Sequence, residues 1–521
     1  MFVNGDADWQ CPSRRSKFCR DPSPDRIAGW DLLSNWRTRQ GARILRIRWS
    51  PEISILSERD QNYPDFVSSV MLAQATDLKA MRSSLVASDL GQAMYALISE
   101  LYPICRSITG DGIRRTLARL SREIPLELHE VPSGTQVFDW TVPKEWNIRD
   151  AWVKNSAGER VIDFNRHNLH VVNYSIPVHR MIRLSELRPH LHTLPEHPDW
   201  IPYRTSYYKE DWGFCLPHRQ LRAMPEDEYE ICIDSTLENG SLTYGESYVP
   251  GETQEEVLIS CHACHPSLCN DNLSGVSVVT FLAKCLADAQ PRYSYRFLFI
   301  PGTIGSITWL SRNQDRVGNI RHGLVITCVG DCGRITYKKS RRGNAAVDRA
   351  MMYVLKRSGQ AYEIQEFSPY GYDERQYCSP GLDLPVGCLM RTPHGKYPEY
   401  HSSADDLELM DAASLASSLL TCLSLLYLLE NNKLYLNQNP NCEPQLGRRG
   451  LYGAIGGYRD EELGEMAMLW VLNQSDGKHS LLDIAERSGL QFETVKEAAD
   501  LLVNHNLLVE AAQKQAVDSR K

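Results

Sequence analysis

The stretch Cys261-His-Ala-Cys-His-Pro-Ser-Leu-Cys-Asn-Asp-Asn-Leu-Ser-Gly275 decides the fold that we expect for this chain. It follows Val257-Leu-Ile-Ser260, an apolar run that is typical of a short buried strand. Apolar residues at helical spacing over 276–286 then predict a helix. In open α/β sheets, ligands bind beyond the carboxyl ends of the strands. Because the loop carries His265 and Asp271, which are good zinc ligands, we expect half of a metal site here.

Two further apolar runs repeat this pattern along the chain. They are Phe297–Ile300 and Leu324–Val329, and each ends in small or polar residues. Continuous apolar runs separated by helical segments are typical of a sheet that is buried on both faces. A long helix expected at about 411–431 would cover that sheet. The predicted fold class is therefore α/β, with a mostly parallel sheet flanked by helices.

Length and composition limit the possible protein classes. A chain of 521 residues predicts several domains, and its hydrophobic content of 42% and charged content of 23% are ordinary globular values. The net charge of −8 argues against general nucleic-acid binding, which needs a basic surface. No signal-peptide pattern follows Met1, and the most apolar segment, at about 415–429, is shorter than the ~20 residues of a membrane span. We predict a cytoplasmic protein without membrane contact, with its 15 cysteines reduced.

Changes in composition divide the chain into four parts. Residues 1–88 form a variable N-terminal extension that we expect to be disordered; its arginines and tryptophans leave an RNA-binding arm as the alternative. Residues 139–248 have short runs with many turn signals and predict a β-rich insertion, which interrupts an α/β domain made of 89–138 and 249–435. Residues 445–521 have winged-helix spacing. The second helix there is acidic, so we expect a protein contact and consider DNA binding unlikely.

The ends of the predicted strands and one later loop carry the candidate metal ligands. These ligands are His265, Asp271, Asp331 and His401. Two histidines and two carboxylates suit one zinc ion, or two ions bridged by a carboxylate. A structural four-cysteine zinc site is the alternative, and its members would be Cys261, Cys264, Cys328 and Cys332. The basic run Lys338–Gly343 could meet an anionic group of a substrate, or could be a solvated turn.

Three motifs resemble those of a bacterial aminopeptidase-like family. They are Cys264–Gly275, Asp139–Trp146 and Tyr400–Asp405. Members of that family resemble the co-catalytic zinc aminopeptidases, and they carry an inserted domain of unknown function and a C-terminal winged helix. The resemblance covers residues 91–509. It implies that His265 and Asp331 hold one zinc ion, that Asp271 bridges, and that His401 holds a second ion.

The resemblance breaks down after the middle strand. The zinc aminopeptidases have two adjacent glutamates there, one as general base and one as metal ligand, where this chain has Gly302 and Thr303. A general base typically contributes about 10²–10⁴-fold to the rate. Glu374 and Glu399 are the candidate carboxylates that could replace it. The resemblance also implies that Asp405 orients the nearby histidine ligand.

These observations predict a zinc-dependent amide or peptide hydrolase in which a metal-bound hydroxide is the nucleophile. Its expected substrate is a small amide, a peptide or an amino-sugar amide. The alternative is a catalytically inactive metal-binding or scaffold protein that binds partners through the winged helix. Gly302 and Thr303 favour the alternative, whereas the retained ligands favour the enzyme.

Overall fold

The computed structural model describes residues 87–451 and 461–511. The predictions made for residues 1–86, a disordered extension or an RNA-binding arm, lie outside the described residues. Numbered along the described chain, the strands are β1 (Glu127–Pro132), β2 (Gln136–Val137), β3 (Trp140–Thr141), β4 (Glu145–Lys154), β5 (Arg160–Asp163), β6 (Val178–Arg183), β7 (Leu191–His192), β8 (Phe214–Cys215), β9 (Glu228–Glu238), β10 (Ser241–Val249), β11 (Glu256–His262), β12 (Ser294–Ile300), β13 (Ile320–Ile326), β14 (Ile335–Lys338), β15 (Tyr362–Gln365), β16 (Val386–Met390), β17 (Leu434–Asn437), β18 (Asp476–Ser480) and β19 (Leu508–Glu510).

The α-helices of the described residues are numbered in the same way. They are α1 (Ala87–Leu101), α2 (Asp111–Leu120), α3 (Leu184–Leu187), α4 (His218–Ala223), α5 (Gly275–Leu286), α6 (Ile304–Arg312), α7 (Ala346–Arg357), α8 (Glu374–Tyr377), α9 (Ala412–Asn431), α10 (Glu461–Gln474), α11 (Leu481–Ser488) and α12 (Phe492–Asn504). A wider helical turn, Cys269–Ser274, leads directly into α5.

An eight-stranded mixed sheet forms the centre of the molecule. Its strand order is β1-β10-β12-β11-β13-β16-β14-β15. At its middle, β11 runs parallel to β12 and β13, and β13 runs parallel to β16. Val257 and Ile259 belong to one hydrophobic core, while Leu258 between them belongs to another. Because β11 is buried on both faces, its run Val257–Ile259 is continuously apolar, and the predicted α/β fold is confirmed.

Helices cover both faces of this sheet. On one face α9 packs against α1, α5 and α7. On the other face the apolar residues of α6 and α8 join the second core. Among the described residues α9 is the one helix long and apolar enough to span a membrane, yet 72% of its most apolar window is buried in this core. Its apolar character is therefore accounted for by packing, and the cytoplasmic location stays a prediction.

The segment expected to be an insertion carries its own four-stranded antiparallel sheet, in the order β5-β4-β9-β6. The predicted end of this insertion at residue 248 is wrong, because β10 pairs with β1 and β12 in the central sheet. The separate sheet ends with β9 at Glu238. β10 alternates polar and apolar residues like the strands before it, so composition alone does not separate the two sheets.

The C-terminal unit consists of helices α10, α11 and α12 and a three-stranded sheet in the order β18-β17-β19. The predicted start of this unit at residue 445 is wrong, since β17 pairs with both β18 and β19 and begins at Leu434. The unit is fixed to α7, where Arg349 forms an ion pair with Asp483 (2.7 Å) and the main-chain N–H of Phe492 donates to Tyr353 Oη (2.9 Å). The beginning of α12 is thus packed on the α/β domain.

Candidate metal centre

The carboxyl ends of three neighbouring strands supply most of the candidate site. β11 ends at His262, Cys328 follows β13, and His394 follows β16. These strands are adjacent and parallel, so their ends meet at one edge of the sheet. The loop after β11 returns to the same edge and places Asp271 there, inside the turn that opens α5.

Asp271 lies at the centre of this group and contacts a histidine with each carboxylate oxygen. His262 Nε2 is 2.9 Å from Oδ1, and His401 Nε2 is 3.0 Å from Oδ2. Two ligand atoms held by one tetrahedral zinc ion, each at about 2.0–2.1 Å, lie about 3.3 Å apart. Each histidine–aspartate pair therefore has nearly the spacing of two ligands on a common ion. Asp271 is common to both pairs, and its predicted role as a bridging ligand stays a prediction.

Three more side chains bring metal-ligating atoms close to this pair of positions. His265 forms one compact group with His262 and Asp271, and Cys328 and His394 form a second group with Asp271; within each group the ligand atoms lie within 4.8 Å of one another. Cys328 Sγ is 3.9 Å from Asp271 Oδ1 and 3.6 Å from His394 Nδ1. Imidazole, thiolate and carboxylate are the protein ligands of zinc.

Two buried nitrogens in this cluster have no hydrogen-bond partner. They are Nδ1 of His265 and Nε2 of His394. Leaving a buried polar atom unpaired costs about 1–3 kcal/mol, so such atoms are rare unless another group satisfies them. A cation within the donor set would satisfy such a nitrogen where its lone pair faces the ion. The residues present therefore fit a bound zinc ion.

The protonation states also suit a cation. Burial by itself would raise the pKa of Asp271, but the surrounding His265, His262 and His401 hold that pKa well below its usual range. Burial lowers the pKa of His265 well below its usual value, and it lowers the pKa of His394 as well. Asp271 thus favours its ionised form, and His265 and His394 favour their neutral forms, which are the forms that bind metals.

Residues around the cluster fix its loops in place. Asp405 is fully buried, and its carboxylate accepts the main-chain N–H groups of Asn270 (2.5 Å) and Asp271 (3.1 Å). Burial raises the pKa of Asp405 to about 8. Arg106, also fully buried, donates from Nε to the carbonyl of His265 (2.8 Å). Asp405 therefore positions the main chain at Asp271, and its predicted role in orienting His401 stays a prediction.

The positions of the absent glutamates are covered by another part of the chain. The ring of Tyr372 lies over Gly302, and its hydroxyl is 3.3 Å from His265 Nε2. Next to it, Asp373 accepts the main-chain N–H of Thr303 at 2.7 Å. The loop before α8 thus occupies the space that two glutamate side chains would need.

The structure brings together three of the four predicted ligands, His265, Asp271 and His401, and their binding of metal stays a prediction. The prediction for Asp331 is wrong in geometry. Its carboxylate accepts hydrogen bonds from Thr392 Oγ1 (2.7 Å) and Asn270 Nδ2 (2.9 Å), so Asp331 connects the segments that follow β16 and β11. Cys328, three residues earlier, lies beside Asp271 instead.

Of the two candidate replacement carboxylates, that of Glu374 is engaged in a buried ion pair. Glu374 is 1% exposed and forms an ion pair with Lys338 (2.8 Å), while its other oxygen accepts the main-chain N–H of Tyr372 (3.0 Å). The basic run that begins at Lys338 therefore starts with a buried, paired lysine and not with a cation available to a substrate. Glu399 is half-buried, and its main-chain carbonyl accepts a hydrogen bond from the Ser402 hydroxyl (2.8 Å). The geometry of Glu374 does not support a general base, and the role predicted for Glu399 stays a prediction.

The alternative four-cysteine site does not form among the described residues. Cys328 faces Asp271, Cys264 accepts the N–H of Gly302 (3.2 Å), and Cys332 is exposed.

Sequence reasoning missed His262, because the apolar run ends at Ser260 while β11 continues to residue 262. It also missed His394 and Tyr372, because no motif surrounds either residue. Cys328 was missed as well, and its position near the end of the apolar run Leu324–Val329 was the one available signal.

Comparisons with known proteins agree with this architecture. A family model described as domain of unknown function (DUF4910) matches residues 95–432, and a winged helix-turn-helix model matches residues 433–510. A protein of Clostridium acetobutylicum named "Putative polysaccharide biosynthesis protein with aminopeptidase-like domain" is 57% identical over 421 residues, which are 81% of this chain and 97% of the relative.

Solved structures show the same similarity. The crystal structure of a "putative peptidase" from Clostridium acetobutylicum superposes with a TM-score of 0.77 at 55% identity, covering 82% of this chain and 97% of that one. A zinc aminopeptidase from Bacillus subtilis has a TM-score of 0.49 at 10% identity, over 65% of this chain and 94% of that one. The predicted resemblance to aminopeptidase-like proteins is confirmed by the first of these structures and by the curated relative.

Proposed function

This chain belongs to the family described as domain of unknown function DUF4910, and we propose that it is a zinc-dependent hydrolase of amide or peptide bonds. The observation that carries the proposal is the double contact of Asp271, with His262 on one oxygen and His401 on the other. That arrangement suits two zinc ions sharing one carboxylate. The name of the Clostridium relative, which includes an aminopeptidase-like domain, supports the same chemistry.

The residues divide between two ion positions. His262, His265 and Asp271 would hold one ion, and Asp271, Cys328 and His394 would hold the other, with His401 next to Asp271 Oδ2. Bound zinc would act as a Lewis acid that polarises the amide carbonyl and lowers the pKa of water. Asp271 would supply negative charge toward bound zinc. Because the cluster is largely buried, its electrostatic interactions are stronger than they would be in water.

The side chains around the cluster orient the substrate and limit the access of water. Tyr203 of the inserted segment packs edge-on against His265 and His401, with ring centroids 5.1 Å apart in both cases. Tyr400 stacks on His401 at 3.9 Å. The side chain of His401 is 36% exposed, so a substrate would approach from this aromatic side. Small amides, peptides and amino-sugar amides all remain candidate substrates.

A metal-binding protein without hydrolytic activity is the second candidate. Gly302 and Thr303 favour it, because neither can take a proton from water as a glutamate would. Such a protein would bind a partner through its winged helix. A protein partner is more plausible than DNA, because the beginning of α12, which DNA-binding proteins present to the major groove, is packed on α7.

The test is the zinc content of the purified protein, followed by hydrolysis of a panel of aminoacyl anilides, peptides and N-acetylated amino sugars. We expect two zinc ions per chain in the wild type and a loss of zinc in Asp271→Asn. Asp331→Asn is the matched control and should keep both ions, since that carboxylate fastens loops. A wild type that binds no zinc contradicts the proposal. Two zinc ions without turnover of any substrate would favour the second candidate.

A further inference from the structure

The loop before α8 fills the space that residue 302 leaves empty. A Cβ built on Gly302 would lie 2.6 Å from Tyr372 Oη, and a ring carbon of Tyr372 is closer still. No side chain larger than hydrogen fits at residue 302 while this ring stays in place. Gly302 and Tyr372 are therefore complementary, and the tyrosine ring stands where the first of the two glutamates would project.

The tyrosine is in contact with the donor cluster itself. Its ring stacks on the imidazole of His262, with centroids 3.7 Å apart and planes inclined by 22°. Its hydroxyl is 3.3 Å from His265 Nε2. Tyr372 is only partly buried, unlike His262 and His265, so it stands between the cluster and the outside.

Several polar contacts hold this loop in one conformation. Glu374 accepts the main-chain N–H of Tyr372 (3.0 Å) and pairs with Lys338, which also donates to the carbonyl of Tyr370 (2.6 Å). Asp373 accepts the N–H of Thr303 and the hydroxyl of Ser306. A network of buried polar groups whose hydrogen bonds are satisfied makes a segment rigid, and a catalytic site requires such rigidity.

Resting on the hydrolase function proposed above, we infer that Tyr372 is a catalytic residue whose hydroxyl donates a hydrogen bond to the carbonyl oxygen of the bound amide. With the Nδ1 lone pair of His265 turned to a cation, its Nε2–H donates to the phenol oxygen, and the phenol hydrogen is free to point to a substrate oxygen while the ring stays fixed. A donor that is placed before the reaction stabilises the negative charge that develops on that oxygen. The residue thus contributes a donor, and not a general base, at the position of the absent carboxylate.

Acetohydroxamate is a suitable probe, because it combines a zinc-binding group with an amide-like oxygen. We would measure its dissociation constant calorimetrically on the zinc-loaded full-length protein. Tyr372→Phe should bind the same number of zinc ions as the wild type and bind acetohydroxamate about tenfold more weakly, as expected for the loss of one hydrogen bond. Tyr370→Phe, in the same loop and 69% exposed, is the matched control and should bind as the wild type does.

A second pair of variants tests the same inference without removing the hydroxyl. Gly302→Ala forces the ring of Tyr372 aside, and the affinity for acetohydroxamate should fall with unchanged zinc content. Its control is Gly318→Ala, because a Cβ at residue 318 meets nothing within 4 Å.

Each alternative result contradicts the inference in a distinct way. Equal acetohydroxamate affinity in Tyr372→Phe and wild type, or no binding by the zinc-loaded wild type, overturns it while leaving the hydrolase proposal intact. Reduced zinc affinity in Tyr372→Phe also overturns it, since the tyrosine would then act through His265. Absence of zinc from the wild type overturns the proposed function itself.

Discussion

The main-chain N–H of Tyr203 donates to the carbonyl of His401 at 2.8 Å, and this contact joins the inserted segment to the metal centre. Ser403 strengthens the junction, because its N–H donates to the carbonyl of Ile201 and its hydroxyl accepts the N–H of Ile201. His401 has a φ of +56°, a conformation that costs a non-glycine residue about 1–3 kcal/mol. The insertion is thus part of the scaffold that holds this histidine toward Asp271.

We expect Tyr203→Leu to weaken zinc binding by about tenfold, because second-layer contacts that orient metal ligands typically contribute 10–100-fold in affinity. The ring of Tyr203 packs edge-on against both His265 and His401, and leucine does not reproduce that surface. Competition with a chelator measures the dissociation constant. Tyr203→Phe keeps the ring, loses only the bond to Tyr207, and should bind zinc like the wild type. Wild-type affinity in both variants would show that the ring does not support the ligands.

Cys328 should be a metal ligand, in the place at which the sequence predicted Asp331. Burial, followed by the neighbouring Asp271, raises the pKa of its thiol well above the usual value, and a coordinated metal ion would deprotonate it. Cobalt-substituted protein should therefore show a thiolate-to-cobalt charge-transfer band that disappears in Cys328→Ser. Cys332→Ser changes an exposed thiol nearby and should keep the band. A wild-type spectrum without the band would exclude the thiolate from coordination.

The fold could be predicted because the central strands have a recognisable local sequence pattern. Val257–Ile259 in β11 and Leu324–Ile326 in β13 are continuous apolar runs, since both faces of the sheet are covered there, and α5 follows with helical spacing. The strands β10 and β17 were assigned to the wrong units, because only their pairing partners, far along the chain, decide which sheet each one joins. Such pairing leaves no mark in the composition of a short strand.

The candidate site was predictable only where one motif carries it. Asp271 and His401 stand in distinctive motifs, and the structure places them 3.0 Å apart. Cys328 and His394 belong to segments without a motif, and it is the parallel order of β11, β13 and β16 that brings them to Asp271. Tyr372 could not have been found, because nothing in the sequence records that its ring matches the missing side chain at residue 302.

The buried ion pair of Lys338 and Glu374 should be important for stability. The two side chains are 5% and 1% exposed, and their charged atoms lie 2.8 Å apart. Lys338→Met leaves Glu374 as an unpaired buried charge, so we expect a loss of about 3–5 kcal/mol in the free energy of unfolding, measured by urea denaturation. The double variant Lys338→Met/Glu374→Leu should regain a large part of this loss. Lys496→Met, which breaks a partly exposed pair on α12, is the control and should cost less than about 1 kcal/mol.

His322 on β13 should make the protein less stable as the pH falls. Burial, with Arg292 and Arg321 nearby, lowers the pKa of His322 to about 3, whereas an unfolded histidine titrates near 6.5. Between these values the unfolded chain binds a proton that the folded chain does not, so stability is fully present above about pH 6.5 and is lost as the pH falls toward 3. From pH 7 to pH 5 this amounts to about 2 kcal/mol.

Comparing the urea denaturation of wild type and His322→Leu at the two pH values isolates that contribution, because every other titrating group is common to both proteins. The wild type should lose about 2 kcal/mol more than the variant does between pH 7 and pH 5. His197→Leu, at a half-exposed position in the insertion, is the matched control and should follow the wild type. If His322→Leu shows the same pH dependence as the wild type, His322 is protonated within the fold, and the ring contact with Tyr293 is open to water.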